Sequence, residues 1–197
     1  MEIKKLNALV TFMPGINQSR ADKQFKVNDF NYYTQASFED DFNHVDSFSR
    51  PKTETMASKT FVTEQEDIVI INSLQMAAKV GKENKGKVLS INFTKVEFKN
   101  DQLDKNYFLY LFNVFKDVKR QKEKEMQGTG VIQKIPLKAL GNIKIPLLPI
   151  VEQQKIGNIY IETLRLQSEL SQFSRTLEEF SYSLLEGAIK DGNKNEK

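Results

Sequence analysis

The strongest pattern in the chain is an alternation of gaps between apolar positions in its last quarter. Ile156, Ile159, Thr163, Leu166, Leu170, Phe173, Leu177, Phe180 and Leu184 follow one another at spacings of 3, 4, 3, 4, 3, 4, 3 and 4. A 3.5-residue repeat held this long puts every such side chain on one narrow stripe, which only another helix can cover along its whole length. At ~1.5 Å per residue a helix over residues 149–190 reaches about 60 Å, well past a small domain. No second heptad run lies upstream, so the expected partner of this seam is outside the chain. The bland alternative is an amphipathic helix folded back on its own domain, with Leu164, Leu185 and Ile189 widening the stripe. At the N-terminal end, Ile150, Val151 and Ile161 add apolar surface for packing of that kind.

The text before the helix reads as short strands followed by helices. Residues 1–13 enter as a short helix or strand, with Ile3, Leu6, Leu9, Val10 and Phe12 apolar, and stop at Pro14-Gly15. Asn31 to Thr34 is strand-like, Phe38 to Phe42 is acidic and expected to be loop, and a further loop begins at Arg50-Pro51-Lys52. Ile68-Val69-Ile70-Ile71 has the continuous apolar profile of a buried strand, Met76 to Val80 that of its hairpin mate, and Val88 to Phe98 that of another strand or strand pair. Asp104 suits an N-cap for one helix in which Phe108, Leu111, Phe112, Phe115 and Val118 share a face. That helix is expected to continue through the basic run to Glu125 and break at Gln127-Gly128-Thr129-Gly130. Beyond it, Pro136 marks a turn, Pro146 ends a short strand, and Pro149 begins the long helix, where its missing N–H costs nothing.

These elements predict an α+β fold: a globular domain over residues 1–148 with a small, mostly antiparallel sheet, one long coiled-coil helix over 149–190, and a disordered tail over 191–197.

Composition narrows the chemistry. Fourteen Phe and six Tyr can fill a core, while the absence of Cys rules out disulfides and thiolate zinc sites. The single His44 cannot hold a metal alone, and no cofactor is expected. The first ten residues carry Glu2, Lys4 and Lys5 without an apolar run, so no signal peptide and no membrane span are read, and the expected compartment is the cytoplasm. Residues 68–138 hold fourteen Lys and Arg against seven Asp and Glu, while the net charge of the whole chain is only +3. A basic domain on a near-neutral stalk suits a polyanion for the domain and a protein for the stalk.

Enzyme motifs are incomplete. Gly81-Lys82-Glu83-Asn84-Lys85-Gly86-Lys87 lacks the Ser or Thr of a phosphate-binding loop, having Val88 there, and leads into a strand; a lysine-rich hairpin turn is the default. Asp67 with Glu83 and Lys85 has the letters of a metal-dependent nuclease, but the latter two fall in that turn. His44 has no nucleophile pattern around it.

Nucleic acid fits better. Lys79, Lys82, Lys85, Lys87, Lys119, Arg120, Lys122, Lys124 and Lys134 could neutralise phosphates. Arg20, Gln35, Arg50 and Gln127 could read base edges, and Lys23, Lys52 and Thr129 lie in the same polar stretches. Each alone is more often a solvated surface residue.

Gly128-Thr129-Gly130-Val131-Ile132 through Leu137, Leu140 and Ile143, followed by Ile145-Pro146-Leu147-Leu148-Pro149-Ile150-Val151-Glu152-Gln153, resembles a junction in one protein family. It is similar to the passage from target recognition domain to conserved helix in DNA-specificity subunits of type I restriction-modification systems. Asp67-Ile68-Val69-Ile70 with Asn92-Phe93 looks like the family's recurring strand pair, and Leu103-Asp104 with Tyr107 and Phe108 like its first helix. The family's second proline pair is softened here to Leu148-Pro149. The resemblance implies a non-catalytic subunit that binds double-stranded DNA and joins a methyltransferase subunit, itself the binder of the methyl donor, and a restriction subunit. Full subunits carry two recognition domains and two antiparallel helices, whereas this chain shows one of each. It resembles a half-subunit, whose open seam an antiparallel homodimer centred near Leu170 would close and whose target would be bipartite. The alternative is a scaffold or decoy fragment that pairs with a longer specificity subunit and contacts DNA little.

Overall fold

The computed structural model describes residues 2–17, 31–43, 61–128 and 134–192. In chain order the elements are β1 (Glu2–Lys5), α1 (Leu6–Leu9), β2 (Val10–Pro14), β3 (Tyr32–Tyr33), α2 (Gln35–Asn43), β4 (Ile68–Ile71), β5 (Met76–Lys79), a 3-10 turn (Lys82–Asn84), β6 (Val88–Leu89), β7 (Phe93–Phe98), α3 (Lys105–Asn113), α4 (Lys116–Glu125), α5 (Leu137–Asn142), β8 (Lys144–Leu147) and α6 (Ile150–Gly192). The fold is α+β. Four strands form an antiparallel sheet in the order β2-β7-β4-β5, β1 pairs antiparallel with β8, and β3 runs parallel to β6.

β4 explains its own sequence. Because successive side chains point to opposite faces, Ile68 and Ile70 pack with Tyr107, Phe108, Phe112 and Tyr160, while Val69 and Ile71 pack with Tyr33, Phe38, Leu89 and Phe93. A strand covered on both sides needs apolar residues at every position, and β4 has them.

The structure departs from these expectations at several points. Phe38 to Phe42 is not loop but part of α2, because Phe38 is buried and stacks on Phe42 while the acidic Asp41 turns inward to Tyr33, Gly81 and Asn84. The basic run does not continue the preceding helix. α3 ends at Asn113, whose side chain turns in to bond both the N–H and the C=O of Ala77 at 2.8 Å, and Phe115 takes an extended conformation before α4 begins. Asp104 does cap α3, its Oδ1 accepting the Tyr107 N–H at 2.9 Å. After the expected turn at Ile135-Pro136-Leu137 the chain forms a helix over Leu137–Asn142 for which no element was expected, short enough that its buried Leu140 is the main sequence trace of it. Pro146 lies inside β8 instead of at its end; it pairs opposite Ile3 in a two-stranded sheet, where a missing donor is tolerated. α6 also runs two residues further than expected, and the rest of the predicted tail lies outside the described residues.

Candidate nucleic-acid and pairing surfaces

α6 leaves the domain through a rigid joint. Gln153 is 1% exposed, and its amide makes every bond the joint needs: Oε1 accepts the Asp104 N–H at 2.9 Å, and Nε2 donates to the carbonyls of Gln102 at 2.9 Å and Leu148 at 2.7 Å. One turn later Gly157 lies against α3 so closely that a Cβ there would stand 2.6 Å from the Tyr107 nitrogen and 2.7 Å from the Asn106 Cβ. Tyr160 then completes the contact, its ring edge-on to Tyr110 and its hydroxyl accepting from Asn113 at 3.1 Å. Ile150 and Val151, expected to pack here, are exposed; Ile156, Ile161 and Leu164 pack partly against the main core.

Gln153, Gly157, Tyr160 and Leu164 thus define the face that meets the domain. At about 100° per residue, Leu166 stands on the opposite side of the helix from Gly157, and the seam follows it. Ile159, Leu166, Leu170, Phe173, Leu177, Phe180 and Leu184 are each between 53% and 69% exposed. Thr163, also exposed, turns its hydroxyl back to the Ile159 carbonyl at 2.8 Å. Ile156 is the one seam position that is half-buried.

The basic residues divide into groups. On α4, Lys116, Lys119, Arg120 and Lys124 face solvent, with Arg120 3.6 Å from Asp117. Gln127 and Lys134 are brought together by reciprocal backbone bonds of 3.0 and 2.9 Å, and both side chains are exposed. Lys82 and Lys85 share the turn after β5, where Lys85 pairs with Glu64 at 3.2 Å; Lys79 pairs with Glu66 at 3.1 Å, and the Gln35 amide bonds Glu39 at 2.8 Å.

Lys122 departs from its expected role on a phosphate-facing surface. It is 6% exposed, donates to the carbonyls of Gln75 and Phe112 at 2.6 Å each, and stands 4.0 Å over the Phe112 ring. The break between α3 and α4 leaves the Phe112 carbonyl without a helical donor, and this ammonium supplies one. Burial, with Lys119 nearby, pushes it down to about 8. Arg20, Lys23, Arg50, Lys52 and Thr129 lie outside the described residues.

The run that mimics a phosphate loop is a structural knot. Lys87 Nζ donates to Asn84 Oδ1 at 2.6 Å and Ser37 Oγ at 2.8 Å, Asn84 Nδ2 donates to Asp41 at 2.7 Å, and the Tyr33 hydroxyl donates to the same carboxylate at 2.6 Å. Burial raises Asp41 and lowers Lys87 from their ordinary values. The Asp67 carboxylate is taken up by Lys95 at 2.6 Å and by the Glu64 N–H at 2.7 Å, and Lys85 of the turn pairs with Glu64 instead. Sequence reading missed the roles of Gln153, Gly157 and Asn113; for Gln153 the signal was present in the Ile-Pro-Leu-x-Pro-x-x-Glu-Gln run.

Comparison with known proteins bears on the whole arrangement. The family model for the type I restriction modification DNA specificity domain matches residues 2–176. The type I restriction enzyme MjaVIII specificity subunit of Methanocaldococcus jannaschii is 33% identical over 104 residues, covering 53% of this chain and 23% of its own. The S subunit of a type I restriction-modification system from M. genitalium is similar with a TM-score of 0.53 at 18% identity, over 90% of this chain and 43% of that one. A chain from a study of complex assembly and conformational transition in the type I R-M system gives 0.62 at 19% identity, over 96% and 44%. The chain therefore spans about a quarter of the curated relative and less than half of either solved chain. The structural likenesses establish a shared fold, and with the family model covering all but the two ends, the chain belongs to the family of type I restriction-modification DNA specificity domains.

Proposed function

We propose that this chain reads DNA sequence for a type I restriction-modification system in the cytoplasm, pairing through α6 with a second copy and doing no chemistry itself. The observation that carries the reading is the seam: seven large apolar side chains, each more than half exposed, on the side of α6 turned away from its own domain. Leaving that stripe in water costs far more than covering it, and an isologous antiparallel pairing about Leu170 covers it over its full length, with Ile156 opposite Leu184 of the second copy. The two recognition domains would then stand at opposite ends of a helical ruler, facing the halves of an interrupted site.

Tyr182, Leu185 and Ile189 support a second contact. They are 57–69% exposed and lie on the side of α6 away from the seam, beyond the reach of the domain. The methyltransferase subunit docks on this distal patch in our reading, and the restriction subunit joins that assembly.

Light scattering on the purified chain tests the pairing. Twice the mass of one chain is expected, falling to one chain in Leu170→Glu and Phe173→Glu; a single-chain mass for the unaltered protein at tens of micromolar would overturn it. Binding to a random duplex should weaken steeply with salt. Weak, salt-insensitive binding would favour the scaffold reading.

A further inference from the structure

An open groove of about 400 Å³ lies at the end of the four-stranded sheet, with Asn72, Ile91 and Thr94 on one side and Gln127, Lys134 and Pro136 on the other. We infer that base edges of double-stranded DNA are read in this groove, an inference that rests on the DNA-recognition reading above.

The walls are firm. The paired backbone bonds between Gln127 and Lys134 fix one side, which buried Ile135 and Leu140 anchor to the core. On the other, Asn72 donates to the Ile91 carbonyl at 3.0 Å and accepts from the Thr94 hydroxyl at 2.8 Å. The reaching groups are free: among the described residues, neither the Gln127 amide nor the Lys134 ammonium has a side-chain partner, and both are exposed. By contrast Lys79, Lys85, Lys122 and Gln35 are each engaged internally.

The chemistry matches a duplex. A Gln amide can bond both N6 and N7 of adenine, a Lys can reach guanine or a phosphate, and an aliphatic side chain can meet the thymine methyl. Ile91, 47% exposed, lines the groove, and Leu74, 55% exposed, lies in the β4–β5 turn next to Asn72; both offer apolar surface to a thymine methyl. α4 ends just before Gln127 and carries the exposed Lys119, Arg120 and Lys124 among the exposed Asp117, Glu123 and Glu125, and exposed Lys138 follows the groove-lining Leu137; these cations lie on elements next to the groove in the chain and could meet phosphates. The groove is too open to bury a small molecule, and Lys134, the one charged residue among those that line it, favours an anionic partner over a neutral peptide.

The test is selection from a duplex pool with a randomised segment, using the full chain in its paired state, followed by sequencing of the bound fraction. Gln127→Ala with Ile91→Ala is expected to erase the preference at one or two adjacent positions while changing affinity for random duplex less than about twofold. Lys134→Gln should flatten the log–log salt slope by about 1. Gln35→Ala and Lys82→Gln, away from the groove, should leave the selected motif intact. A motif retained by the double variant, or lost in Gln35→Ala instead, overturns the groove while leaving DNA recognition standing. If the unaltered chain selects no motif, the DNA-recognition reading falls with it.

Discussion

The two halves of α6 share one heptad spacing and meet opposite surroundings. From Ile150 to Leu164 the helix lies on its own domain, where Gln153 and Gly157 carry the contact through a polar lock and a bare backbone. From Leu166 to Ile189 every large apolar side chain is more than half exposed. The domain holds this half through a few small or polar positions together with Tyr160, Ile161 and Leu164, while most of the heptad seam, the more conspicuous pattern, faces solvent. Apolar periodicity says that a helix will be covered; it does not say by which face its own domain holds it.

Gln153→Ala should break the contrast most. It strands the Asp104 N–H and two carbonyls in a half-buried joint, so a loss of about 3 kcal/mol is expected in urea unfolding, with the seam unaffected. Gly157→Ala comes next, at about 2 kcal/mol, because the clash is with the backbone of α3.

The basic helix α4 offers a pH test. Lys122 is held near 8 in the fold and has an ordinary value of 10.5, so the unfolded chain keeps a proton that the folded one releases between those values. Stability should accordingly rise with pH from 8 towards 10, by up to about 1 kcal/mol per unit, and Lys122→Met should abolish the climb. Tyr33, Tyr107 and Tyr160 run the other way: burial raises each above 10.0, so the stability they contribute is present below that pH and lost above it.

Gly187→Ala sharpens the comparison by reversing the sign of the same substitution. No atom lies within 4 Å of a Cβ there, so a gain of about 0.5–1 kcal/mol is expected from helix propensity. A destabilisation would mean that a partner helix approaches as closely at Gly187 as α3 does at Gly157. Leu170→Glu should change the unfolding free energy of the monomeric chain least, within about 0.5 kcal/mol, while halving the mass in light scattering.

Much of the arrangement was legible beforehand. β4, the β5 hairpin, the Asp104 cap and the long helix each rest on local signals that the tertiary structure reinforces. The misreadings occurred where one long-range bond decided a local choice. Asp41 reads as a solvated acid until Tyr33 and Asn84 close around it and pull α2 into a helix. Asn113 looks like one more helical position until it bonds Ala77 across the core and α3 ends. Lys122 looks like its basic neighbours until the helix break leaves a carbonyl for it to cap.

What the sequence determined by itself was the set of elements with an unbroken pattern: a strand apolar at every position and a long helix with one apolar stripe. Those follow from a continuous apolar run and from a repeat of three and a half, which any stretch of chain expresses without reference to the rest. Only the tertiary structure decided which charged groups face outward and which face of α6 belongs to the domain. Both depend on residues distant in sequence meeting in space, as Gln153 meets Asp104 and Lys122 meets Gln75, and the cost of an unpaired buried polar group then makes the choice.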